Sequence, residues 1–251
     1  MAASMRTCEF RFYAELNDLL PRERRKVAFT HAFTGTPSVK DPIEALGVPH
    51  TEVDLILVDG ESVGFGHRLR GGERVAVYPV FERFDIAAVT RVRAEPLREL
   101  KFVLDVHLGR LAAYLRMLGF DCVYFNDLRD EEIVRLARAE QRIVLTRDIG
   151  LLKNGLVERG AYLRGTDPML QVREVLDRFH LERLVAPFTR CVSCNGPIAR
   201  IAADEARPRV PDAVADCHAD FSECRDCRRV YWPGSHVDRL RERFAAIGVR
   251  L

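Results

Sequence analysis

No stretch of the chain approaches the ~20 apolar residues that a membrane-spanning helix needs. The first segment, Met1 to Pro21, is broken by charges at Arg6, Glu9, Arg11, Glu15 and Asp18. Neither a membrane span nor a secretory leader is therefore expected. Net charge is also small, +2 over 251 residues, which excludes an overall polycation but leaves room for local basic faces. Lysine is scarce beside arginine; the forked guanidinium suits phosphate contacts, although GC-rich coding produces the same bias. Internal repeats and low-complexity tracts are absent. The seven cysteines are an odd set, four of them in two C-x-x-C pairs, so a secreted disulfide framework is disfavoured and metal binding in a reducing cytoplasm is expected. What is present is a hydrophobic fraction of 47%, enough for two or three modest domains.

Three zones separate along the chain, residues 1–93, 96–187 and 188–251. In the first, Cys8 to Tyr13 alternates as a strand and the turn near Gly35 suggests a hairpin. Ser38 to Pro42 reads as a helix entry, with Pro42 tolerated in the first turn, and Ile43 to Leu46 as a short helix ended by Gly47. Asp54 to Val58 and Arg74 to Val80 are further strands, with turns at Asp59-Gly60 and Gly71-Gly72. Strand, strand, helix, strand, strand is the order of a β-grasp domain. The run VKDPIEALGVPHTEVDLILVDG and the later RVAVYPVFE resemble the ubiquitin-like sulfur carriers. Those carriers end in a free Gly-Gly tail, whereas this chain continues through Pro79, Val80 and Phe81. The Leu69 to Gly72 LRGG lies before the last strand and is simplest as a hairpin turn. Carrier chemistry is thus disfavoured, and an interaction or substrate-guiding module that recruits a protein partner fits better.

The second zone alternates apolar runs with helical periods, implying a parallel, three-layer α/β sheet. Leu108, Leu111, Ala112, Leu115 and Leu118 mark a helix over Val106 to Leu118, capped by Gly119. Ile133, Leu136 and Ala137 mark a second helix, Arg142 to Thr146 a strand, Ala161 to Arg164 a fourth strand, and Asp167-Pro168 a helix start. Asp105, Asp130 and Asp148 each follow an apolar run or turn and open a helix-like stretch. This places three carboxylates at the C-terminal edge of one sheet, where open α/β folds bind ligands. Aspartate is also a favoured N-cap; with four good capping types, three aspartates in succession arise by chance about once in sixty. Clustered carboxylates need a counter-charge, and Mg²⁺ or Mn²⁺ is the usual one.

FVLDVHLGRLAAYLRMLGFD, followed by DEEIVRLARAEQRIVLTRD, and later Cys194-Asn195-Gly196 and the Tyr231 to His236 YWPGSH, resemble the Mut-seven C-terminal RNase family, a branch of the PIN-like nucleases. The resemblance covers the second and third zones, and a ubiquitin-like N-terminal domain belongs to the same family context. It implies a PIN-like fold and metal-dependent cleavage of RNA, with the acidic positions on Asp105, Asp130 and Asp148. Asp127 and Glu131 lie close enough to share or replace the Asp130 role, whereas Asp121 belongs to a helix–strand connection and Asp167 to a cap. Arg110, Arg116, Arg147 and Lys153 are candidates for RNA phosphate contacts, with solvated helix faces as the competing reading. A hydrogen-bonded or solvent-facing role suits His107 better than catalysis. The competing function is a non-catalytic RNA-binding or adaptor protein.

Cys191-x-x-Cys194 and Cys224-x-x-Cys227 carry the spacing of a structural Zn²⁺ ribbon, in which two knuckles supply four thiolates and leave no open position. Cys217 and His218 lack a partner at that spacing; Cys8 and Cys122 read as small buried side chains. The proline-rich stretch from Ala202 to Ala219 reads as a long loop. Tyr231, Trp232 and His236, near Arg228, Arg229 and Arg239, read first as cover for a small ribbon core and second as an RNA-stacking surface.

Overall fold

A computed structural model describes residues 5–79, 90–92 and 100–251. The 93/96 zone boundary and the continuation through Val80 and Phe81 lie outside them. In chain order the elements are β1 (Met5–Phe12), β2 (Phe29–Thr34), α1 (Lys40–Ala45), β3 (Val53–Val58), β4 (Glu61–Val63) and β5 (Arg74–Pro79). Then follow β6 (Lys101–Leu104), α2 (Gly109–Met117), β7 (Asp121–Val123), α3 (Asp130–Ala139), β8 (Ile143–Thr146), α4 (Ile149–Leu152), β9 (Gly160–Tyr162) and α5 (Pro168–Arg178). The last elements are β10 (Ile198–Ile201), α6 (Ala203–Ala206), α7 (Asp212–Cys217), β11 (Phe221–Cys224), β12 (Val230–Tyr231) and α8 (Ser235–Ala246). The chain forms two compact units, residues 1–99 with 148–162, and residues 100–147 with 163–251. Among the described residues no helix is long and apolar enough to cross a membrane.

In the first unit the strands are ordered β2-β1-β5-β3-β4. β1 and β5 run parallel while the other neighbours are antiparallel. With α1 between the two halves, this is a β-grasp. Alternation in β1 buries Cys8, Phe10 and Phe12, which pack with Ile43 of α1 and with Ile56, Val75 and Val77. The expected hairpin turn at Gly35 is misplaced. Residues 13–28, with two 3-10 turns, connect the antiparallel pair β1 and β2, and Gly35, at φ +70°, follows β2 on the way to α1. Asp59 and Gly60, both at positive φ, make the two-residue turn between β3 and β4.

The LRGG segment is a turn closed by a carboxylate. Glu73 accepts from the backbone N–H groups of Arg70 and Gly71, each at 2.6 Å, and from the Cys8 thiol at 3.0 Å. Burial works against ionisation, but these donors outweigh it and hold the Glu73 carboxyl down to about 2. A depressed native pKa stabilises the fold above the unfolded value of 4.5 and loses that contribution as pH falls towards about 2. Glu73→Gln is therefore expected to lower the melting temperature at pH 7, and the gap to wild type should close between pH 4.5 and about 2. A gap of equal size throughout a pH-melting series would remove the ionised turn as its cause.

In the second unit β6 lies between β7 and β8 and is parallel to both. Every residue of β8 is buried, as are Phe102, Val103 and Leu104 of β6, the continuous apolar pattern of strands covered on both faces. The N–H of Leu163 donates to Thr146 O at 2.9 Å. α3 packs on β6 and β8, and α2 packs on β7 and α5. The expected Val106 to Leu118 helix begins as a 3-10 turn over Val106–Leu108 before α2, and Gly119 ends it at φ +96°, with Ala186 O 2.4 Å from where a Cβ would sit. β10, β11 and β12 form an antiparallel ribbon. The stretch from Ala202 to Ala219 holds the short helices α6 and α7 instead of an open loop. α8 lies outside the ribbon, and its buried Phe244 packs edge-on against Tyr114 of α2 at 5.6 Å.

Candidate functional site

Asp105 directly follows the central strand β6 and is only 7% exposed. It sits at the N-cap position of the 3-10 turn leading into α2, yet its side chain makes no cap bond. The carboxylate is held by the sheet: the Thr146 hydroxyl at the end of β8 donates to Asp105 Oδ2 at 2.7 Å. The neighbouring backbone is fixed too, since Asp105 N donates to Leu145 O at 3.1 Å and Leu108 N to Asp105 O at 2.9 Å.

The other two aspartates have different settings. Asp130 is exposed and is the first residue of α3; Arg129 occupies the N-cap, and its backbone N–H donates to Glu132 Oε2 at 3.1 Å. The capping expectation is thus off by one residue at Asp130. Asp148 does cap α4, accepting from Gly150 N at 2.6 Å, and belongs to the first compact unit, whereas Asp105 and Asp130 belong to the second. Asp127 and Glu131 are exposed. Asp167 is a plain cap, accepting from Met169 N and Leu170 N. His107 is exposed.

Among the expected phosphate-binding cations, Arg110 and Arg147 are exposed. Arg116 departs from that expectation. It is 4% exposed, and its guanidinium donates to Cys122 O at 2.8 Å, Val192 O at 3.1 Å, Ser193 O at 3.0 Å and Tyr124 O at 3.4 Å. A fork spent on four carbonyls in the interior has no face left for RNA. Lys153 is also engaged, its ammonium donating to Glu44 O at 2.6 Å.

The four ribbon cysteines converge: their sulfurs all lie within 4.8 Å of one another. Among the described residues they are the group of His, Cys, Asp or Glu side chains that does so; the three aspartates form no such group. Cys191 and Cys227 sulfurs are 3.6 Å apart and those of Cys194 and Cys224 are 3.4 Å apart. These separations exceed a disulfide bond, about 2.0 Å, and approach the edge of about 3.8 Å expected for four sulfurs at 2.3 Å from one zinc. Each knuckle turns through a left-handed residue, Asn195 at φ +72° and Arg228 at +62°. The backbone N–H groups of Cys194 and Cys227 donate to Cys191 and Cys224 sulfurs. Glycine at 196 leaves room for the sulfur, since a Cβ there would lie 2.9 Å from Cys224 Sγ. Burial raises the Cys191 pKa, but the Tyr231 hydroxyl at 3.0 Å and the Cys194 N–H outweigh it and hold the thiol down to about 6. This geometry can hold zinc.

Missed in the sequence was how the first knuckle docks. Asn195 Oδ1 accepts from Cys122 N at 3.0 Å, on the outer edge of β7, and its Nδ2 donates to Asp121 Oδ1 at 2.8 Å. Asp121 also pairs with Arg142 at 2.6 Å and Arg190 at 3.4 Å. Burial opposes its ionisation, yet the Arg142 and Asn195 bonds hold its carboxyl below the usual range. The signal was there in the Asn of Cys-Asn-Gly, a residue that tolerates positive φ and bonds outward. Tyr231 likewise serves the thiolates. Arg228 pairs with Glu223 at 2.6 Å, and the side chain of His236 lies outside the described residues.

A family model described as the Mut7-C RNAse domain matches residues 100–244, and one described as Mut7-C ubiquitin matches residues 5–85. No curated protein matches the chain. Two solved structures of small archaeal modifier protein 1 from Haloferax volcanii are each 19% identical over 30% of this chain, covering 97% and 96% of their own, with TM-scores of 0.24 and 0.25. The RNAse-domain match spans more than half of the sequence, and the chain belongs to the Mut7-C RNAse domain family.

Proposed function

We infer that the protein is a metal-dependent ribonuclease that hydrolyses RNA phosphodiester bonds, with Asp105, Asp130 and Asp148 as its acidic residues. The carrying observation is Asp105, a carboxylate buried at the C-terminal end of the central strand and oriented by the Thr146 hydroxyl. Membership of an RNAse-domain family supports the same chemistry. Carboxylate oxygens fit a hard divalent ion, and magnesium-type sites take as few as one or two carboxylates, completed by water and substrate phosphate oxygens. Asp105 would be the fixed ligand, with Asp130 and Asp148 as the further ones. When bound, Mg²⁺ or Mn²⁺ supplies a polarised phosphate and a water of lowered pKa. The protein's own part is to hold the Asp105 carboxylate aimed through the Thr146 hydroxyl, and to bring the RNA backbone in beside Arg110 and Arg147. Zinc in the ribbon is structural in this reading, and four cysteines kept as metal-binding thiolates suit a reducing compartment such as the cytoplasm.

The test is incubation of purified protein with structured and unstructured RNAs plus Mn²⁺, beside EDTA and Asp148→Asn controls. Cleavage that EDTA stops and the variant lacks is expected. Equal cleavage by the variant would reveal a contaminating nuclease, and RNA binding without cleavage would favour the non-catalytic adaptor.

A further inference from the structure

Residues 148–162 lie inside the RNAse-domain match but fold with the ubiquitin-like unit. Three successive polar residues of the β-grasp, His50, Thr51 and Glu52, form one 3-10 turn and are 7%, 1% and 0% exposed. Buried polar side chains of this kind must find partners, and each of the three finds one on the 148–162 segment. His50 Nε2 donates to Val157 O at 2.8 Å, and the Thr51 hydroxyl donates to Leu152 O at 3.5 Å. Glu52 Oε1 accepts from Tyr162 N at 2.5 Å. Glu44 makes a second layer: its carboxylate meets His50 Nδ1 at 2.7 Å, and its carbonyl takes the Lys153 ammonium at 2.6 Å. Leu151, Leu152, Val157 and Ala161 of the segment are buried. The segment opens with Asp148, whose carboxylate is set by α4, and α4 ends at Leu152, the residue that Thr51 holds.

We propose that the β-grasp domain acts in cis as a clamp that positions Asp148, with His50 and Glu52 as positioning residues that touch neither RNA nor metal. The proposal rests on Asp148 being an acidic residue of the ribonuclease site. It accounts for a ubiquitin-like domain without a carrier tail, since the working surface is the His50–Glu52 turn and not a free terminus.

The full-length chain carrying His50→Ala, Glu52→Ala or Glu52→Gln separates the possibilities. Glutamine keeps an acceptor oxygen for Tyr162 N and serves as the conservative rescue. Amide hydrogen exchange is read over residues 149–157 and over β8, and kcat and KM are measured on single-stranded RNA with Mn²⁺. Both alanine variants are expected to speed exchange in 149–157 about tenfold while β8 is unchanged. They should lower kcat about tenfold with KM within about twofold, and Glu52→Gln should restore both. Unchanged exchange in 149–157 overturns the clamp. Faster exchange with unchanged kcat, or a kcat loss that Glu52→Gln fails to restore, overturns the positioning role. If the wild-type chain cleaves no RNA, the ribonuclease reading and the positioning of its site fall together, whereas failure of the clamp alone leaves wild-type cleavage intact.

Discussion

Replacing Asp105 by asparagine is expected to slow RNA cleavage by about 10²–10³-fold, or ~3–4 kcal/mol of transition-state stabilisation, with the melting temperature within a few degrees of wild type. The two halves of that expectation have separate origins. Asparagine is nearly isosteric and still offers an oxygen to the Thr146 hydroxyl, which lies 2.7 Å from Asp105 Oδ2, so the packing at the end of β6 survives. What it loses is the negative charge, the property that the proposed site requires. Thr146→Val is the complementary change: it keeps the charge and removes the donor that aims it. Steady-state cleavage at saturating Mn²⁺, beside thermal melts, reads both variants. Full activity in Asp105→Asn would end the assignment of this carboxylate.

Removing zinc should have the largest effect on the fold. Four sulfurs within 4.8 Å of one another, without a metal, crowd thiolates or thiols that have no other common partner. Structural zinc contributes on the order of 10 kcal/mol to small ribbons at neutral pH. One zinc per chain is expected in reduced protein, and Cys224→Ser or strong chelation should melt the region around β10 to β12 and lower the main transition by roughly 10 °C or more. Metal analysis with far-ultraviolet circular dichroism provides the check. Zinc well below one equivalent in fresh, reduced protein contradicts the four-cysteine site. Because α8 returns from the ribbon to bury Phe244 against Tyr114 of α2, the loss should reach the helices that cover the parallel sheet as well.

How far the chain could be read from residues alone depended on whether the controlling interactions were local. Alternation in β1, the Asp59-Gly60 turn and the apolar run Ile143 to Leu145 of β8 are local, and they led to the β-grasp and to the parallel strands. The C-x-x-C spacing was equally direct. Arg116 defeated the same reasoning: beside Leu115 it looks like a polar-face residue, and only carbonyls from Val192 and Ser193, far along the chain, explain its burial. Asp130 was placed one residue off because Arg129, a poor capping type, takes the N-cap. The α8 helix was missed although Val237 and Phe244, seven residues apart and both buried, carried its period. The union of Asp148 with the β-grasp left no periodic trace, since it runs through polar side chains. A sequence rule for it exists after the fact: three consecutive polar residues in an otherwise apolar entry to β3.

The docking of Asn195 on β7 has a consequence for solubility. Among the described residues β7 pairs with β6 alone, and the N–H of Cys122 on its outer edge is taken up by Asn195, a residue whose conformation belongs to the first cysteine knuckle. A strand edge without such cover is a template for pairing with another chain. With zinc in the proposed four-cysteine site, metal loading would also guard against self-association: a zinc-starved chain is expected to uncover β7 and to aggregate edge to edge before it is fully unfolded.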